Sequence, residues 1–125
     1  MDAYARKLLR SAALFNFMVA GGLLFLRPQL GPLLHLDPVT GTNITIFNVA
    51  GGLVATFGYA YWRAGQDPKT YRPYIELGII GKLVVVVVVL ATWMAGSTDG
   101  RIPGLVGVDL LFAALFVNYL RRTKI

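Results

Sequence analysis

With 125 residues, 56% of them hydrophobic, a mean hydropathy of +0.63 and only 14% charged, the chain has too little polar surface to coat a water-soluble globule. Its 12 Lys+Arg against 6 Asp+Glu give a formal +6, but the basic residues fall in short clusters between long apolar runs, an arrangement for anionic lipid and against nucleic acid. The absence of cysteine excludes disulfides, thiol redox chemistry and thiolate metal sites, and one histidine is too few for a histidine-built metal or haem site, so no metal is expected.

Four apolar stretches predict membrane spans at about 8–26, 44–62, 74–95 and 102–120, one four-span domain over residues 1–125. Each is close to the ~20 residues that a helix rising about 1.5 Å per residue needs to cross a ~30 Å hydrocarbon core. Only helices or closed barrels satisfy their backbone in lipid, and the runs lack the period-two alternation of barrel strands, so the expected class is an all-α, integral membrane four-helix bundle. The first stretch follows Arg6, Lys7 and Arg10 and meets no small-x-small cleavage site before Arg27-Pro28, so it reads as a retained span. The first loop runs through Asp37-Pro38 to Gly41; Pro32 to Pro38, with Leu33, Leu34 and Leu36, suits a segment that lids the outer mouth, and His35 beside Asp37 reads as a surface histidine.

Asn43 stands where it can cap the second span, a better use than the glycosylation sequon that Asn43-Ile44-Thr45 spells. Gly65-Gln66-Asp67-Pro68 makes the second turn, Pro73 fits the first turn of the third span, and Gly96 to Gly100 makes the last turn. Arg6, Lys7, Arg10, Arg63, Lys69, Arg72, Arg121, Arg122 and Lys124 fall on one side and only Arg27 and Arg101 on the other. That bias predicts both termini and the central loop in the cytoplasm, with the bundle in the inner (plasma) membrane.

Polar groups at membrane depth carry the functional information, since an ionisable side chain there costs at least ~2.5–3.5 kcal/mol. Lys82 lies about 12 Å inside the cytoplasmic edge and Asp109 about 10 Å inside the outer edge at helical rise, and each unpaired would be an isolated buried charge. They are expected to pair between spans three and four, either as a ligand-polarising or proton-handling site or as a clasp that fixes the fold. Glu76 is rotated roughly 120° from Lys82 and suits an ion pair at the cytoplasmic edge with Arg72 or the Arg121-Arg122 pair. On span two Asn48, Gly52, Ala55, Thr56 and Tyr59 share a narrow stripe, and Asn16, Ala20 and Leu23 share one on span one. Asn16, Asn48 and Tyr59 are therefore candidate ligand contacts beside Lys82 and Asp109, with Glu76 and Trp93 as secondary candidates.

Gly21-Gly22 and Gly51-Gly52 read as close-packing residues. Val19-Ala-Gly-Gly-Leu23 recurs as Val49-Ala-Gly-Gly-Leu53, but the two spans run in opposite directions and duplication stays open. Trp62, Trp93, Tyr71, Tyr74 and Tyr119 lie near span ends, as an interfacial aromatic belt does.

No phosphate-cradling loop, HExxH pair, Ser-His-Asp constellation or dinucleotide fingerprint occurs, and no catalytic residue is assigned. The glycine-containing first span, the proline-containing first loop ending near Leu36-Asp37-Pro38, Asn48 with Gly51-Gly52, the stretch from Gly78 to Lys82 and that from Val108 to Phe112 together resemble the DoxX-like group of small four-helix membrane proteins. That resemblance implies an accessory, assembly or quinone-linked membrane role; members linked to thiol chemistry are poor guides to a chain without cysteine. A more distant architectural likeness is to four-helix proteins that hold sterol-like ligands.

The leading expectation is an inner-membrane accessory or binding protein holding a small amphipathic or lipid-like ligand, or a partner helix, in the bundle interior. The rivals are a protomer of an oligomeric transporter or channel, and a membrane isomerase or reductase with Asp109 and Lys82 as acid and base. No cofactor is predicted, with quinone or lipid as candidate ligands; the partners are the bilayer and a membrane protein or a second copy.

Overall fold

The computed structural model describes residues 2–26, 32, 41–96 and 101–123, and the side chains of these except Asp2, Thr42 and residues 101–105. The residues on which the outer lid and the surface histidine were expected, 33–38, lie outside the described residues, as do 97–100 and Lys124. Four helices follow one another: α1 (Asp2–Phe25), α2 (Thr42–Gln66), α3 (Arg72–Met94) and α4 (Arg101–Arg122), with no strand among the described residues. Three of them contain stretches long and apolar enough to cross a membrane: Ala3–Phe25, Asn43–Gln66 and Arg72–Met94.

At the end carrying the chain termini α1 and α2 run several residues beyond the apolar stretches that predicted them and α3 and α4 about two, because polar residues there continue the helical ladder without needing lipid. Pro73 sits in the first turn of α3, where its missing N–H has no carbonyl to meet. Asn43, expected as a cap, lies inside α2; Gly41 holds the cap position in a backbone conformation of φ +59°, which a side chain resists, and no side chain caps the helix. Thr56 Oγ1 donates to Gly52 O at 2.9 Å and Thr92 Oγ1 to Val88 O at 2.8 Å, so both hydroxyls are satisfied within their own helix.

The helices pair as two hairpins, α1 along α2 and α3 along α4, joined by lighter contacts of α2 with α3 and of α1 with α4. Both hairpins are built alike. The buried positions of α3, Ile75, Gly78, Lys82 and Val86, fall under one constant shift on buried positions of α1: Leu9, Ala12, Asn16 and Ala20. Those of α4, Val106, Ala113, Phe116 and Tyr119, fall likewise on Gly51, Gly58, Tyr61 and Ala64 of α2. The hairpins thus share a spacing of buried positions between helices that run in the same direction, whereas the recurrence of Val19 to Leu23 at Val49 to Leu53 stays within the first hairpin.

The main core occupies the half of the bundle nearer the termini. There Leu9, Ala12, Ala13, Tyr61, Ala64, Ile75, Phe116 and Tyr119 are sealed, with the Tyr61 ring edge-on to Phe116 at 5.3 Å between centroids. At this end arginines finish helices to which they do not belong. Arg6 of α1 donates to Gln66 O at 2.5 Å at the end of α2, and Arg72 of α3 donates to Leu120 O at 2.7 Å and Thr123 Oγ1 at 2.9 Å at the end of α4. Orphan carbonyls and the negative end of each helix dipole are met together. In the turn between hairpins Thr70 donates to Asp67, which holds that carboxyl below the usual carboxylate range.

Gly78 lets α3 approach α2 closely: a Cβ there would overlap the Tyr61 ring, which has no free space to move into, whereas one on Gly52 meets nothing within 4 Å. Gly78→Ala should therefore lower stability in detergent by about 1–3 kcal/mol through overpacking. Gly52→Ala should raise it or leave it unchanged, by helix propensity of up to about 1 kcal/mol. Thermal unfolding of the two variants in one detergent checks the contrast, and equal behaviour would refute the close approach.

Candidate functional site

Lys82 enters the bundle from the middle of α3, one turn beyond Gly78, and is 4% exposed. A protonated lysine brings three N–H donors and no acceptor, so its burial requires oxygen acceptors within reach. Asp109 of α4 supplies one, Oδ1 at 2.5 Å, and Asn16 of α1 a second, Oδ1 at 3.3 Å. Three rings complete the surroundings: Nζ stands 5.5 Å from the centroid of Phe15, 5.3 Å from Tyr61 and 5.4 Å from Phe112, distances at which aromatic faces attract a cation. Asn16 Nδ2 in turn donates to Val54 O of α2 at 3.2 Å. A single polar chain, Asp109 to Lys82 to Asn16 to the Val54 carbonyl, thereby touches all four helices.

The pairing of Lys82 with Asp109 expected between the third and fourth helices is present, and Asn16 joins it. Asp109 is the open end of the chain, its side chain 19% exposed against 4% for Lys82. Asn48 and Tyr59 are not brought to it. Both are exposed on α2, Tyr59 to 57%, and the face of α2 that packs is Phe47, Gly51, Val54, Gly58 and Tyr61. The stripe expected from Asn48, Gly52, Ala55 and Tyr59 lies one residue, about 100° of helix, away from that face. Tyr61, which sequence reasoning passed over, takes the interior place expected for Tyr59.

Glu76 is exposed near the start of α3, and Arg72, one of its two expected partners beside the Arg121-Arg122 pair, instead caps α4. Trp93 is exposed at the far end of α3, and Trp62 lies at the terminal end of α2 beneath the Arg10 guanidinium, 5.9 Å from its ring centroid. Phe15 and Phe112 were also missed as site residues. The signal for them was available, since Phe15 adjoins Asn16 and Phe112 lies one turn from Asp109.

Apolar side chains are exposed along the whole outer surface, Leu14, Leu77 and Leu111 on the terminal side of the polar chain and Val49, Leu53, Val87 and Val88 beyond it, while Ala20, Val86 and Val106 are buried beyond it. The polar chain thus adjoins the end of the main buried cluster. No protein-family model, curated protein sequence or solved structure matches the chain.

Removing one member of the pair leaves the other a buried, uncompensated charge, at a cost of about 3–5 kcal/mol. Lys82→Met and Asp109→Leu should each lose that much stability in detergent, and the double variant should regain most of it. Denaturant titration of the three variants measures it; a single variant as stable as the unmodified protein would show that the pair carries no structural weight.

Proposed function

We propose that the chain is an inner-membrane accessory or binding protein that crosses the bilayer four times with both ends cytoplasmic, and that it holds a small amphipathic, lipid-like molecule against the Asp109–Lys82–Asn16 chain. The carrying observation is that chain itself, polar in the middle of an apolar bundle, partly open at Asp109 and beside the end of the main core. Binding sites of this kind combine apolar walls with a few fixed polar groups that orient the ligand. Membrane residence is supported by the length and apolarity of three helices, and orientation by the gathering of Arg6, Arg10, Arg63, Lys69, Arg72, Arg121 and Arg122 at one end of the bundle. The order of features that resembles the DoxX-like group fits the same accessory role.

Asn48, Gly52, Thr56 and Tyr59 favour a second reading, in which a partner helix or another copy docks on α2. They form an exposed stripe of small and polar residues at helical spacing, and such stripes allow close helix contact in lipid.

Native mass spectrometry of the gently extracted protein separates the two readings. A bound lipid-sized mass lost in the Lys82→Met/Asp109→Leu double variant supports the interior site. A dimer or heteromer lost on Gly52→Leu supports docking on α2, and a bare monomer in both experiments refutes both.

A further inference from the structure

The inference drawn here rests on the interior binding reading and names the chemical class of its ligand. The two hairpins provide an internal comparison. The shift that carries the buried positions of α1 onto α3 carries Asn16 onto Lys82, and the one that carries α2 onto α4 carries Val54 onto Asp109. The hydrogen bond inside hairpin one, Asn16 Nδ2 to Val54 O, is therefore the neutral counterpart of the bond inside hairpin two, Lys82 Nζ to Asp109 Oδ1. Two helices at this depth are tied adequately by an amide and a backbone carbonyl. A charged tie at the equivalent place costs more to bury, so its charges supply something that holding helices together does not require.

The donors and acceptors show what that is. Lys82 directs its N–H groups to Asp109, Asn16 and the ring faces. The Asn16 amide spends a donor on Val54 O. Tyr61 has a hydroxyl beside the pair, but the residue is 1% exposed and packed against Gly78, so that donor is not offered at the exposed end. A carboxylate has roughly four lone-pair sites, and among the described residues only Lys82 donates to Asp109. The capacity left at the exposed end is thus acceptor capacity. Because the pair is already neutral, a cationic ligand would place net charge at membrane depth, whereas a neutral O–H donor would not.

We infer that Asp109 is the recognition point for a neutral amphiphile whose head is a hydroxyl group, a lipid-soluble alcohol, with Lys82 holding the carboxylate in place and Asn16 holding Lys82. A quinone or other carbonyl head, which needs a donor, is the wrong partner for this site.

The test uses the full chain in lipid nanodiscs with three probes of one tail length, n-dodecanol, n-dodecylamine and the corresponding methyl ketone, and measures saturable binding above that of empty nanodiscs. The alcohol is expected to bind on the order of tenfold more tightly than the ketone, the scale of one hydrogen bond to a charged group, and this preference should vanish in Lys82→Met/Asp109→Leu. Should that variant not fold, the ranking of the three probes on the unmodified protein decides alone. Equal or tighter binding of the ketone, or tightest binding of the amine, overturns the ligand class and leaves interior binding standing. Saturable binding of none of the three overturns both.

Discussion

An ammonium group placed among aromatic rings in the middle of a bundle sets the terms for everything around it. Lys82 stays buried only while Asp109 and Asn16 offer oxygen atoms at hydrogen-bonding distance, and those come from two other helices. α1, α3 and α4 are thereby fixed in depth relative to one another, and the Asn16 amide extends the constraint to α2. Helices in lipid gain nothing from apolar contact alone, because the surrounding tails are as apolar as they are. Directional polar contacts decide which faces meet.

The close packing of the terminal half follows from the same register. Tyr61 and Phe116 occupy equivalent positions in their hairpins and meet edge to face, while Leu9 and Ile75, equivalent positions of α1 and α3, are buried in the same core. Gly78 makes room for one of these rings. With Lys82 one turn further on, the aromatic core ends where the polar chain begins. Asp109 is the end of that chain left partly exposed.

Much of this architecture was legible in the sequence, for identifiable reasons. Four helices follow from run length and the backbone's need for internal hydrogen bonds, and Lys82 points to Asp109 because an isolated charge in an apolar run has few partners. Asn16, Ala20 and Leu23 gave the packing side of α1 correctly. The rotation of α2 was not legible: Asn48, Gly52 and Thr56 form as coherent a stripe as Phe47, Gly51 and Gly58, and in lipid a small polar face can turn outward as readily as inward. Only the fit of Gly51 against Leu24 and of Gly58 against Phe17 distinguishes them. The likeness of the two hairpins was hidden for a related reason. Leu9 stands for Ile75 and Tyr61 for Phe116, so volume and burial are preserved where residue identity is not.

The arginine caps carry a consequence for the segments that follow α2 and α4. Most helices are closed by their own trailing residues, often by a left-handed glycine, but here Gln66 and Leu120 obtain their donors from the opening turns of α1 and α3. The stretch after Gln66 is thus relieved of terminating the helix before it, and outside the Asp67–Thr70 hydrogen bond composition there is free to drift so long as its length still returns the chain to Arg72. Whatever divergence accumulates in relatives of this chain should gather in that connector, while the two guanidinium groups that do its work stay put.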